Sequence, residues 1–397
     1  MYVERDIREL FGNMHEASKM VALVGARQCG KTTFLKEHAS RFDSNYVMFD
    51  DPDARGLFDE DIKKFELQYV KGHELTVLDE VQYCKDAGRK LKYLVDSGHK
   101  LWVTSSSETL LGKEVLSHLV GRVTVARLHP FSLNEFLRAR GQKAATAKTM
   151  DRHIWEHITY GGYPQAVLAE NLEMKKIILR SLLETMLLKD VAKTFSIEDM
   201  DGLERCARYL AETIGGVLSY NGACNALGLS FPTLKKYIDA LEKSYLVVRT
   251  KPFFTNKVRE ITKQPKVYFL DTGMRNAVAN RFETNPSGNI FENYVATEII
   301  KAGHTPKYWR TKAGAEVDFV LDMGEQQSPI EVKLDAGAGN VTRGMMSFIE
   351  SYRPKHALVV SLKGSGESVK VGACRVTFTD VPGLRDFLHG MNGAGEE

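Results

Sequence analysis

Along residues 1–140, short apolar runs alternate with longer mixed stretches. The runs are Met20–Val24, Asn45–Phe49, Leu75–Leu78, Leu101–Val103 and Val123–Leu128. Runs of this length, mostly without polar alternation, predict strands buried on both faces of a parallel sheet. Thr32–Ser40 and Glu108–Leu116 read as helices between them. Gly141–Lys148 is small and polar, and predicts a linker. Helical spacing then runs from about Asp151 to Gly202, broken at Gly161–Pro164.

From residue 203 the pattern changes. Leu203–Ile214 predicts a helix, and Ser219–Leu229 a second one that ends at Gly228. Ser230 caps a third helix with Pro232 in its first turn. Leu234, Ile238 and Leu241 share one face of it, which leaves Thr233, Lys235, Lys236 and Asp239 outward. Leu246–Phe254 and Lys266–Leu270 predict a β-ribbon. This order looks like a winged helix. Lys251, Lys257, Arg259, Lys263 and Lys266 concentrate positive charge near the ribbon. One reading is a helix offered to a DNA groove with basic residues on phosphates. The other is a packing module with solvated lysines.

The last third predicts a helix at Asn289–Ala302, extended segments at Thr305–Trp309, Glu316–Leu321 and Pro329–Lys333, a helix at Arg343–Ser351 and a strand at His356–Ser361. Strand side chains alternate faces, so Glu331 and Lys333 project on one side. With Asp318 on a neighbouring strand, two carboxylates and an ammonium converge. Such a group suits Mg2+ held by Asp318 and Glu331, with Glu292 as a further ligand and Lys333 near the attacking water or the phosphate. The element order and the Asp318…Glu331-x-Lys333 spacing resemble the PD-(D/E)xK nuclease fold, with Val317-Asp318 in place of Pro-Asp. A salt-bridge cluster is the alternative.

Bulk properties narrow the function little. The 397 residues suggest two to three domains, and 43% apolar content suits a sizeable core. A net charge of +3 requires any nucleic-acid surface to be local. Five scattered cysteines without a C-x-x-C pair argue against a disulfide or zinc framework and fit a reducing cytoplasm. No apolar run approaches the ~20 residues of a membrane span, and the N-terminus does not read as a signal peptide.

The strongest chemical signal is Gly25-Ala26-Arg27-Gln28-Cys29-Gly30-Lys31-Thr32, followed by Thr33. A glycine loop between a strand and a helix start turns backbone N–H groups toward a triphosphate at the positive end of a helix. Lys31 adds a point charge and the Thr32 hydroxyl a ligand for Mg2+. The apolar run Leu75–Leu78 leads into Asp79 and Glu80. Asp79 suits the Mg2+ shell, and Glu80 suits proton abstraction from the attacking water. The hydroxyls of Thr104–Ser107 end the next strand, where they can orient that water or cap the following helix. Arg122 stands before the last strand, either to reach a neighbouring subunit or as a surface residue. Cys29, beside Lys31 and a helix start, is expected to have a lowered thiol pKa, or to be an inert filler.

The order of phosphate loop, Asp79-Glu80, Thr104-Ser105-Ser106 and Gly121-Arg122 resembles an AAA+ ATPase. More narrowly, the chain is similar to prokaryotic ATP-binding proteins with a C-terminal domain of unknown function. Leu128-His-Pro130-Phe-Ser-Leu-Asn-Glu135-Phe and Tyr160-Gly-Gly-Tyr-Pro164 carry the rest of the likeness. Ser105 stands where that group usually has glycine. The resemblance implies ATP and Mg2+ as cofactors, Ser106 as sensor, Arg122 as arginine finger, and a helical lid opening at Gly161–Pro164.

The expected fold is therefore α/β. A P-loop AAA+ core with a parallel sheet spans 1–140 and a helical lid 151–202. A winged helix with connector follows at 203–285, and a PD-(D/E)xK-like α/β domain at 286–390. The expected function is a cytoplasmic, homo-oligomeric, Mg2+-dependent ATPase that acts on or is regulated by DNA, with no membrane role. The alternative is a nucleotide-dependent switch whose C-terminal domain binds a partner without cutting.

Overall fold

The computed structural model describes every residue except 1, 107–118, 142–146, 187–190, 257, 259, 261, 262, 284, 325, 338 and 394–397. The helix expected at Glu108–Leu116, most of the expected linker, and Lys257 and Arg259 of the basic set lie outside the described residues. The chain divides into two compact units. The first is Met1–Lys143 with Gly162–Leu168 and Lys243–Tyr245. The second is Ala144–Gly161, Ala169–Glu242 and Leu246–Glu397.

Five strands build the first unit: β1 (Met20–Val24), β2 (Ser44–Met48), β3 (Leu75–Asp79), β4 (Leu101–Ser105) and β5 (Val123–Arg127). All pair in parallel, in the order β2-β3-β4-β1-β5. β1, β3 and β4 are buried along their whole length, as continuous apolar runs require. Phe49 and Leu128, expected to end strands, lie just beyond them and are buried. Phe11 of the first helix (Arg8–Ala17) packs edge-on against Phe34 and Trp102, with ring centroids 5.1 and 5.0 Å away. Because β1, β3 and β4 are parallel neighbours, the loops after their C-terminal ends share one edge of the sheet. In open parallel sheets that edge is the ligand-binding one.

The second unit contains the helices Ala147–Tyr160, Leu172–Thr185, Met200–Glu212 and Tyr220–Leu227, and the helix Phe231–Lys243 up to Glu242. Leu234, Ile238 and Leu241 are fully buried on the last of these, as their spacing predicts. A two-stranded antiparallel ribbon follows, β6 (Val247–Thr250) with β7 (Lys266–Phe269). The helix Gly288–Lys301 then leads into six strands: β8 (Lys307–Arg310), β9 (Glu316–Asp322), β10 (Gln327–Val332), β11 (His356–Val360), β12 (Ser368–Val371) and β13 (Cys374–Thr379). Their order is β12-β13-β11-β10-β9-β8. β12, β13 and the closing helix Val381–Gly393 were not expected from the sequence. Among the described residues, no helix is long and apolar enough to cross a membrane.

Candidate functional site

The loop Gly25–Gly30 joins β1 to the helix Lys31–Ala39. Gly25 lies so close to the chain after β5 that a Cβ there would sit 2.0 Å from the Leu128 carbonyl oxygen. Gly30 caps the helix at φ 101°, a conformation open chiefly to glycine. The Lys31 ammonium is buried inside the loop and donates to the carbonyls of Gly25 (3.0 Å) and Ala26 (3.1 Å). Gln28 and Thr33 are exposed, and Arg27 and Thr32 are half-buried.

Asp79, at the end of β3, is buried and accepts three hydroxyls. Thr32 reaches it at 2.9 Å, Tyr46 at 2.6 Å, and Thr104 also donates to it. Burial, then the Asp79 charge, pushes the Tyr46 phenol well above its usual range and keeps it a donor. Glu80 follows in the left-handed region at φ 61°, ψ 50°. That conformation costs a non-glycine residue about 1–2 kcal/mol. Its backbone N–H donates to Thr104 Oγ1 (2.8 Å). Its carboxylate accepts from the Ser106 N–H (3.3 Å) and from the Gln82 amide, which also donates to Ser106 Oγ (3.3 Å). Ser106 and Gln82 together fix the direction of the Glu80 carboxylate.

Arg122 pairs with Asp96 at 2.7 Å and is half-exposed. It precedes β5, which runs parallel to β1 from Met20↔Val123 to Val24↔Arg127. The phosphate loop therefore lies beyond the far end of that strand, about 16 Å away at the usual strand rise. Within its own chain Arg122 does not join the site.

Four residues without a chemical signature in the sequence complete this site: Tyr46, Gln82, Arg5 and Glu135. Arg5 donates to the Cys29 carbonyl (2.9 Å) from under the loop and pairs with Glu135 at 3.0 Å, both side chains buried. Glu135 also forms a capping box with Ser132 and accepts from the Asp6 N–H at 2.7 Å. The second half of the Leu128–Phe136 motif thus anchors the phosphate loop through Arg5. The donor set fits a polyphosphate with a hard divalent cation: a glycine loop at a nine-residue helix, an ammonium, and a hydroxyl beside a carboxylate.

The Cys29 expectation is overturned. Its thiol is fully buried and donates to the Leu128 carbonyl at 3.3 Å. Burial raises its pKa and outweighs the Lys31 and Arg5 charges that act the other way. In the folded protein Cys29 is expected to resist maleimide while the more accessible Cys224 reacts. Mass-mapped labelling checks this, and rapid, ATP-protectable modification of Cys29 would contradict it.

The second unit gathers the C-terminal candidates. The Asp318 carboxylate accepts from the Val332 N–H at 2.8 Å. Lys333 pairs with Glu331 at 2.8 Å, as the strand alternation predicts. Glu331 Oε2 is buried and, among the described residues, has no partner in good hydrogen-bond geometry. Burial and the nearby Asp318 push the Glu331 carboxyl up to about 7. Burial likewise raises Asp318 and Glu292. Glu292 is taken by Tyr268 and by Lys266, whose ammonium lies 3.2 Å away. Among the described residues, no three His, Cys, Asp or Glu side chains stand together as a metal-ligand set. The expected convergence of Asp318, Glu331 and Glu292 on one ion is therefore not formed as the side chains stand, because ammoniums engage Glu292 and Glu331.

The outward basic set also changes. Lys235, Lys236, Lys251 and Lys263 are exposed, whereas Lys266 is buried and Asp239 pairs with Arg249 at 2.7 Å. Lys266 faces acids and is unavailable to a phosphate backbone.

Three family models match the chain. Residues 17–137 match an AAA domain, 151–285 a domain of unknown function (DUF8612), and 287–378 another (DUF4143). An uncharacterized protein of Haemophilus influenzae is 22% identical over 78% of this chain and 81% of its own length. The protein MJ1544 of Methanocaldococcus jannaschii is 25% identical over 87% of this chain and 81% of its own. Among solved structures, the Walker-type ATPase PABY2304 of Pyrococcus abyssi aligns with 69% of this chain and 96% of its own, at 14% identity and a TM-score of 0.48. The match over residues 17–137 marks the first unit as carrying an AAA-like P-loop domain, with the parallel sheet described above.

Proposed function

We propose that this chain is a Mg2+-dependent ATPase of the AAA+ type that works as a homo-oligomer and acts on, or is controlled by, DNA. The observation that carries the reading is the contact between Thr32 and Asp79, with Glu80 held beside it and Lys31 in the adjoining loop. Bound Mg2+ supplies charge withdrawal from the phosphates. The chain's own groups do the rest. Lys31 exchanges its bonds to the Gly25 and Ala26 carbonyls for phosphate oxygens. Thr32 and Asp79 offer their oxygens to the cation. Glu80, aimed by Gln82 and Ser106, takes the proton of the attacking water. Arg122, out of reach of its own site, serves a neighbouring subunit. The helices of 151–202 act as the lid.

The helices and ribbon from Met200 to Phe269 support a winged-helix reading, with exposed Lys235 and Lys236 on the helix Phe231–Lys243. Lysines favour phosphate contact over base reading. ATP hydrolysis is expected to rise with DNA. Changing Lys235 and Lys236 to Ala is expected to weaken binding alike on unrelated sequences and to flatten the log–log salt slope by about 2. Turnover that ignores linear, circular, single-stranded and branched DNA, without binding at low salt, would reject the DNA role.

For the C-terminal domain, the Asp318, Glu331 and Lys333 cluster supports a PD-(D/E)xK-like fold with a metal at Asp318 and Glu331, and Glu292 as auxiliary ligand. Engagement of Glu292 and Glu331 by lysines favours a second reading, a domain that binds a partner without cutting. Cleavage assays on the same DNA forms with Mg2+ or Mn2+ separate the two. Cleavage lost in Asp318→Ala supports the nuclease, and no cleavage of any form supports the partner-binding domain.

A further inference from the structure

Lys266 is the least expected member of the C-terminal pocket. It lies on β7, within the stretch that matches DUF8612, while the acids around it lie within the stretch that matches DUF4143. Its side chain is 2% exposed. Its ammonium stands 2.6 Å from Glu316 Oε1 and 3.2 Å from Glu292 Oε1, with the Asp318 charge also acting on it and the Tyr308 ring centroid 5.6 Å away. A buried ammonium is costly unless acids compensate it, so these contacts tie Lys266 to the pocket.

The acids outnumber the lysines. Glu292, Glu316, Asp318 and Glu331 face Lys266 and Lys333, while Arg310 reaches Glu316 only from the solvent side, at 3.6 Å. Glu331 is 5% exposed; the Asp318 charge and the Thr342 hydroxyl act on its carboxyl, and among the described residues its Oε2 has no partner in good hydrogen-bond geometry. A buried carboxyl oxygen without a well-placed donor is an acceptor that a cation can satisfy.

We propose that this pocket is a divalent-cation site gated by Lys266, whose ammonium is a built-in counter-ion that must leave Glu292 before Asp318, Glu331 and Glu292 can close on a metal. The proposal rests on the reading of Asp318 and Glu331 as metal ligands. It explains why the acids gather without forming a metal-ligand set. It also makes metal binding at the C-terminal domain depend on the position of β7, which belongs to the preceding stretch of chain.

The test is Mn2+ binding to the full-length, nucleotide-free protein, followed by electron paramagnetic resonance. Lys266→Met is expected to bind one Mn2+ at least ten-fold more tightly than wild type. Lys266→Arg, which keeps the charge, is expected to match wild type. Lys266→Met/Glu316→Gln removes one charge of each sign, so it guards against misfolding and is expected to keep the gain. Adding Asp318→Asn is expected to abolish it. Equal, Asp318-dependent affinity in wild type and both Lys266→Met proteins overturns the gate and leaves the metal reading standing. No Asp318-dependent Mn2+ in any variant overturns both.

Discussion

Glu80→Gln is expected to bind ATP as wild type does and to lose hydrolysis by about 10²–10⁴-fold, the usual contribution of a positioned general base. That loss corresponds to about 3–5 kcal/mol of barrier. The amide is nearly isosteric, so it can still accept from the Ser106 N–H and leaves Lys31, Thr32 and Asp79 in place. What disappears is a carboxylate able to take a proton. Lys31→Ala should fail earlier, at binding, because the loop's only ammonium is removed. Fluorescent-nucleotide binding and single-turnover hydrolysis distinguish the two variants. Full turnover by Glu80→Gln would take Glu80 out of the base role and leave the binding site intact.

Arg122→Ala is expected to bind ATP normally and to lose about 10³-fold or more in turnover, the scale of an arginine finger. The reasoning is one of reach. Arg122 lies at the opposite end of β5 from the phosphate loop, and its acidic partner among the described residues is Asp96, half-exposed like itself. An exposed pair of this kind contributes little to stability, so the arginine is free to exchange partners. Mixing Arg122→Ala with Glu80→Gln protein is then expected to restore part of the activity, because some interfaces combine an intact arginine with an intact base. An ATPase that stays monomeric with every nucleotide and remains active would defeat the proposal.

The nucleotide site was legible because its parts are local. Gly25–Thr33 is one contiguous loop and helix start, and Asp79, Glu80 and Ser106 sit at or just past the ends of apolar runs. In a parallel sheet those ends share one edge. Pairing of Glu331 with Lys333 was legible for the same reason, since two-residue spacing fixes a shared face. β12 and β13 were missed because they carry polar residues at alternate positions. Ser368 and Lys370 are exposed on an edge strand, which is a weaker signal than a buried run.

The sequence by itself determined the buried strands of the first unit, the phosphate loop and the candidate metal acids, because periodicity and short spacing act through the local backbone. Only the tertiary structure decided which distant groups meet. Arg5 supports the loop from more than twenty residues upstream, and Tyr46 crosses from β2 to Asp79. Lys266 turns from an expected DNA contact into the acid pocket. Cys29 shows the same division in one side chain: nearby charge favours a reactive thiolate, while the chain folded over it raises its pKa. Burial depends on segments far apart in sequence, and desolvation of a charge in a closed core outweighs the pull of neighbouring cations.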